Sequence, residues 1–322
     1  MGTFLSSLRI STKLAINAGF AILLVLALAG TTILELRQIA MEGETAARSM
    51  RTLESTMEAR AARLAMPTLN RDIRMAQDAA TVDRALASFD EALAIVQREL
   101  AAALASATLP ENRARLETAG RETAAIVDAN RRVAALRKEH LEIRNAIVFG
   151  GGGPLAQAIA AIQAAAPLAG HPEEARIRTL LQQTADALLD ARIGGQRYMG
   201  SNEPAQRERT LNAGRAAIRD VNAARDLVPP GHPARPGLED LAHRVQAYIT
   251  GFERAVNNLD QINRLQEETI APLQARIDGT MAEVFSAARD RTQQAQANLH
   301  EAQARASAIA LWLSLAVLLL LA

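Results

Sequence analysis

Two stretches of the chain are apolar all round, and almost everything between them is apolar on one face only. From about Ala15 to Leu34 the sequence reads AINAGFAILLVLALAGTTIL without a charge, and from Ser307 to Ala322 it reads SAIALWLSLAVLLLLA. Between these runs apolar residues recur at alternating steps of three and four, which places them on one face of a helix. The clearest series is Leu238, Leu241, Val245, Tyr248, Phe252, Ala255, Leu259 and Ile262. It is a seven-residue repeat, the pattern of helices packed side by side. Leu86, Phe89, Leu93, Val96 and Leu100 keep the same rhythm. In an earlier segment Ala46, Met50, Leu53, Met57 and Leu64 form a stripe with one step skipped, and Arg60 occupies that step.

Helix breakers divide the middle of the chain. They fall at Pro67, at Leu109–Asn112, at Gly150–Pro154, at Gly170–Pro172, at Gly200–Pro204 and at Pro229–Pro236. The helical segments so bounded are 37–66, 72–106, 110–168 (interrupted by glycines), 173–200, 205–228, and one from 237 into the second apolar run. If each pair of shorter segments climbs end to end and each long segment returns, the lengths match. The expected fold is all-α: two stacked four-helix bundles sharing two long helices, flanked by two transmembrane helices. Pro272 removes a backbone donor and is expected to kink the last helix.

The apolar runs decide the domain plan. About 20 residues at 1.5 Å each match the hydrocarbon thickness of a bilayer. Arg9 and Lys13 precede the first run, which by the positive-inside rule keeps the N-terminus cytoplasmic. Ala27-Leu28-Ala29 resembles a signal-peptide cleavage site, but the run continues past it. The expected organisation is 1–13 cytoplasmic, 14–36 a first span, 37–305 an exported sensor region, and 306–322 a second span that the sequence cuts short. Chemoreceptors, sensor kinases and cyclase-type receptors share this layout.

Composition narrows the chemistry. With 36 basic and 35 acidic residues among 322, the formal charge of +1 points to neither nucleic acid nor an acidic partner. Cysteine is absent, which excludes disulfides, thiolate catalysis and thiolate-bound metals. Aromatic residues make up only 3% and alanine dominates, which argues for helices over a large sheet. The glycines at 150–153 lack the Gly-Lys-Ser/Thr of a phosphate loop. Among the five histidines, Asp240 and His243 have helical spacing, but no second such pair completes a bundle metal site. His140 falls on the Val133–Leu136–Ile143–Ile147 stripe and reads as a satisfied buried histidine, while His171 and His232 sit beside prolines in loops. No triad or paired-carboxylate spacing is present, so neither an enzyme nor a cofactor is expected.

Arginine is the residue type most suited to a binding role here, because its planar fork donates two parallel bonds to a carboxylate. The end-to-end arrangement brings Arg60, Arg63, Arg192 and Arg254 to similar heights. Arg60, at the skipped step, is expected to point inward, where an unpaired guanidinium is costly. Arg63 and Arg192 flank their stripes, and spacing alone does not select Arg254. A convergent set would suit a small organic acid; salt bridges between neighbouring helices are the alternative.

The opening ISTKLAINAGFAILLVLALAG resembles the first span of methyl-accepting chemotaxis proteins. The region after it resembles their helical bimodular sensor domain, through ARAARLAM (Ala59–Met66), LLDARIGGQRYM (Leu188–Met199) and GFERAV (Gly251–Val256). The resemblance implies that Arg60, Arg63, Arg192 and Arg254 are contacts to C4-dicarboxylates. It also implies a homodimer in the bacterial inner membrane, with a periplasmic sensor and a cytoplasmic adaptor and kinase reached through a signalling domain beyond Ala322. The sequence departs from that family where a second arginine often follows Arg192 by one turn; here Gln196 stands there, with Arg197 beside it. The glycine break at 150–153 is a second departure, expected to reshape the pocket wall. The input domain of a sensor histidine kinase, or a membrane-anchored helical scaffold, would share the same layout.

Overall fold

The computed structural model describes residues 10–150, 152–164 and 168–321. Among the described residues all regular structure is helical. The helices are α1 (Ile10–Met75), α2 (Ala79–Ser106), α3 (Pro110–Ile143), α4 (Gly152–Ala164), α5 (Glu174–Ser201), α6 (Pro204–Asp226), α7 (Arg235–Arg264) and α8 (Ala271–Leu321). Two π-helical segments accompany them, Arg144–Phe149 after α3 and Leu265–Ile270 between α7 and α8. The second precedes Pro272, which has no N–H to offer a carbonyl. The Ala271 N–H bonds Gln266 O, five residues back, so the ladder widens by one residue there.

Among the described residues no helix is long and apolar enough to cross a membrane. The expected spans at 14–36 and 306–322 include residues whose side chains lie outside the description, and residues 1–9, with Arg9, lie outside it altogether.

The chain divides into two compact units. The first takes Met1–Ala65, Glu91–Ala124 and Gln274–Ala322; the second takes Met66–Asp90 and Ala125–Leu273. Four helices, α1, α2, α3 and α8, therefore contribute to both units, where the sequence pattern suggests two shared helices.

The end-to-end topology is also corrected. Pro67 does not break α1, which stays helical to Met75. Burial on both sides of Pro67 sustains the helix: Ala59 and Arg63 before it and Asn70 and Ile73 after it are buried. The chain turns at Ala76–Asp78 instead. There Asp78 caps α2, its carboxylate accepting from the Thr81 N–H (2.7 Å) and hydroxyl (2.9 Å). Arg137 binds the Ala76 carbonyl through Nε (3.0 Å) and a terminal nitrogen (2.7 Å). In the first unit the Thr52 and Ser106 hydroxyls lie 3.0 Å apart, so α2 runs back along α1. The ion pairs Arg115–Glu283 (2.9 Å) and Arg276–Glu122 (2.7 Å) set α8 antiparallel to α3.

In the second unit α6 likewise folds back on α5, through a two-residue link in which Asn202 takes a left-handed conformation (φ 56°). Small residues bring these helices close. A Cβ on Gly194 would lie 2.6 Å from Thr210 Oγ1, and one on Gly214 only 2.2 Å from Ile249 Cδ1. Helix α4 packs on α5 and α7, and α6 packs on α7. The core between them includes Leu155, Ile159, Leu181, Val221, Leu241, Val245 and Tyr248. The α7 repeat expected from the sequence is borne out: seven of its eight positions are buried and Leu259 is half-buried.

The α1 stripe is not. Met50, Met57 and Leu64 are exposed, and the buried face of α1 carries Ser49, Thr52, Thr56, Ala59 and Arg63 in the first unit. That face has the same three-four spacing but is small and polar, so apolar periodicity picked the wrong side.

Candidate functional site

Two arginines of the expected set line pockets within the second unit: Arg254 stands in a shallow surface groove with Glu142, Ile143, Ala146 and Thr250, and Arg192 lines a deeper, partly open cavity. The cavity lies in the second unit and holds about 80 Å³. Leu155, Ala156 and Ile159 of α4 form one wall, Ala185, Leu188 and Leu189 of α5 another, and Tyr248 of α7 closes it with Arg192. The end of the π segment at Gly150 bears on this cavity. Gly150 N bonds Asn145 O at 3.0 Å, a π-type bond that ends the segment, and the chain restarts as α4, which supplies three lining residues. A Cβ on Gly150 would lie 2.9 Å from the Ala146 carbonyl, so a larger residue strains this restart.

Two polar groups in this apolar wall lack protein partners. The Tyr248 hydroxyl is buried with no hydrogen bond, and burial pushes the phenol up to about 12, against a smaller opposing pull from Arg192. Among the described residues the half-buried Arg192 guanidinium has no hydrogen-bond or ion-pair partner either. A buried donor without an acceptor costs about 1–3 kcal/mol. That cost falls on the Tyr248 hydroxyl, while the half-exposed Arg192 guanidinium is open to water; both groups can donate, so an acceptor placed between them would serve both. No sequence signal marks Tyr248 as functional, because it sits on the α7 apolar repeat, where it reads as core.

The other three arginines have different surroundings. Arg63, in the first unit, is 5% exposed, donates to the Gln274 carbonyl (2.8 Å) and pairs with Asp278. It ties α1 to α8. Arg60, also in the first unit, is exposed, which corrects the expectation that it points inward; the face that turns in is one residue earlier, at Ala59. Arg254, in the second unit, is exposed and pairs with Glu139. Gln196 is half-buried and Arg197 exposed, and neither lines the cavity.

His140 is the satisfied buried histidine expected from its stripe. It is 2% exposed, and its Nδ1 lies 3.0 Å from the Ala255 carbonyl, so that nitrogen carries the proton. Burial lowers its pKa to about 4, with Arg137 and Arg144 adding to the shift and the Ala255 bond opposing it. Among the described residues no group of three or more His, Asp or Glu side chains is placed to hold a metal ion. No protein-family model matches the chain, and no curated protein shows significant sequence similarity to it.

Proposed function

We propose that this chain is the sensor region of a transmembrane chemoreceptor that binds a small organic acid and passes a helix movement across the membrane to a chemotaxis kinase. The observation that carries the reading is the cavity in which Arg192 and the Tyr248 hydroxyl face apolar walls without partners. A carboxylate supplies the missing acceptors, and a short hydrocarbon tail suits Leu155, Ile159 and Leu188. Arg192 is the only cation among the lining residues, so one carboxylate is matched there and a second would be buried unpaired. The cavity therefore favours short monocarboxylates over the C4-dicarboxylates that the family resemblance implies.

Two surface features support the membrane and dimer parts of the reading. Ile22, Leu23, Val25, Leu26, Ile33 and Leu34 are all more than half exposed, as in a helix whose neighbours are lipid tails. Met50, Met57 and Leu64 stand seven residues apart on the exposed side of α1, the spacing a second copy would cover. The two bundles and two flanking spans expected from the sequence belong to this reading. So does the movement: a ligand that binds one arrangement of α7 better than another shifts the population toward it, and α7 continues through the π segment into α8.

The test is calorimetric titration of the full chain in detergent with acetate, propionate, butyrate, succinate and malate. A short monocarboxylate should bind, Arg192→Ala should abolish its binding, and Arg63→Ala should lower the melting temperature while leaving affinity intact. If no acid binds, the sensor reading falls. If succinate and malate bind and the monocarboxylates do not, the single-carboxylate assignment falls and the dicarboxylate reading stands.

A further inference from the structure

The sequence Gly-His-Pro occurs twice, at Gly170–Pro172 before α5 and at Gly231–Pro233 before α7. Both copies fold the same way. Each glycine has a positive φ, 80° and 88°, a conformation open to glycine and rare for L side chains. The histidine N–H bonds a carbonyl three residues back, His171 to Leu168 and His232 to Pro229. The histidine carbonyl accepts from the residue three ahead, Glu174 or Arg235. The ring then accepts at Nδ1 from the N–H two residues ahead: Glu173 N to His171 Nδ1 is 3.1 Å, and Ala234 N to His232 Nδ1 is 3.2 Å. The two rings meet edge to face, with centroids 5.2 Å apart and planes at 85°. Each ring is thus a cap for its own helix start and half of a clasp between two loops of the second unit.

An acceptor Nδ1 facing a backbone N–H cannot also carry a proton. In the neutral ring the proton then sits on Nε2, which leaves neither nitrogen free to bind a metal without breaking the cap. Protonation of either ring turns its acceptor into a donor pointed at a donor. Protonation of both also sets two cations against each other.

The neighbouring charges offset this only in part: the Glu174 carboxylate attracts a charged His171 ring, but its hydrogen bonds go elsewhere. Glu174 bonds Arg178 (3.0 Å) and the Gly170 N–H (2.9 Å), and Glu173 lies 3.9 Å from Arg176. On the other loop Arg235 pairs with Glu239 (2.9 Å), and at the end of α6 Arg225 pairs with Asp226 (2.8 Å). Every one of these carboxylates already has its arginine.

We propose that the paired Gly-His-Pro turns are an acid-sensitive latch that holds the starts of α5 and α7 together when both histidines are neutral and releases them when either is protonated. Histidine is the side chain that ordinarily changes charge between pH 5 and 8. Its two helices are also the ones that carry Arg192 and Tyr248, so its opening loosens elements that line the cavity.

Amide hydrogen exchange of the full chain in detergent, corrected for intrinsic rates, tests this at pH 7.5 and 5.5. In the wild type, peptides covering 168–177 and 228–238 should lose protection by about tenfold or more in acid, since opening is then linked to proton uptake. The double variant His171→Asn/His232→Asn keeps an acceptor at the Nδ1 position without a titrating group, and should hold its protection at both pH values. Equal wild-type protection at the two pH values would overturn the latch, as would an equal acid loss in the double variant. Long-range nitrogen–proton spectra of the wild-type rings give a readout that needs no variant. At pH 7.5 both Nδ1 atoms should be unprotonated, and a proton on either one also overturns it.

Discussion

Helices α1 and α7 bury faces of identical spacing and opposite chemistry. On α7, within the second unit, the repeat from Leu238 to Ile262 buries Leu, Val, Tyr, Phe and Ile side chains, with Phe252 and Val245 fully enclosed. On α1, within the first unit, the repeat from Ser49 to Arg63 buries hydroxyls, an alanine methyl and a guanidinium. A buried Leu or Phe side chain stabilises by about 1.5–3 kcal/mol, while a threonine mostly exchanges one hydrogen bond for another. Helix α8 shows the same contrast along its own length. Its buried positions pass from Ile277, Met281 and Val284 to Ala288, Thr292, Ala295 and Ala302. The α7 face is thus held by bulk, and the α1 face and the later turns of α8 by close approach of small groups.

The largest expected effect tests the bulk-held side. Phe252 is fully buried and stands edge to face with Tyr198, centroids 5.9 Å apart. Phe252→Ala should cost about 3–5 kcal/mol through the lost burial and the cavity left behind. Denaturant unfolding of the full chain followed by circular dichroism measures it. A loss below about 1 kcal/mol, less than the low end for a buried aromatic, would mean that α7 is not the spine of its unit.

Acid should act on the same unit through His140. Its folded pKa, about 4, lies below the unfolded value of 6.5, so the unfolded chain binds the extra proton. The stabilising contribution is complete above about pH 6.5 and is lost as the pH falls toward 4. The shift corresponds to about 3 kcal/mol by order of magnitude. His140→Gln should flatten the profile over that interval. A wild-type profile already flat there would show that His140 is not held neutral.

The same contrast explains how far the sequence could be read. The helices were legible because the breakers at Pro110, Gly170, Pro204 and Pro236 coincide with real ends, and the α7 face was legible because its side chains are apolar. Two other features were hidden. Pro67 looked like a boundary, yet α1 runs through it, and the true turn at Asp78 carries a fainter cap signal, Asp78 with Thr81, that a nearby proline overshadows. Moving that turn from 67 to 78 changes which helices run together, and with them the height assigned to Arg60 and Arg63, which was counted from Pro67. The α1 face was hidden for a different reason. Periodicity finds the buried side only where the buried side is the more apolar, and Met50, Met57 and Leu64 made the outer side look like core. Arg192 was singled out by the resemblance and a flanking position, while Tyr248, which lines the same cavity, was masked by the apolar repeat it belongs to.

The smallest expected effect is the most informative about the polar face. Thr56 is fully buried, and its hydroxyl donates to Thr52 O at 2.6 Å, within its own helix. That carbonyl belongs to the α1 ladder regardless, so Thr56→Val leaves no orphaned acceptor and adds a buried methyl of nearly the same volume. If the face is simply a small-residue contact, the variant should be neutral or more stable by up to about 1 kcal/mol in the same unfolding measurement. A loss above about 2 kcal/mol would mean that the hydroxyl makes an interhelical bond which fixes the register of α1, and the two faces would then differ in chemistry but not in how firmly they hold. A gain would show that α1 carries less packing energy than its fold allows.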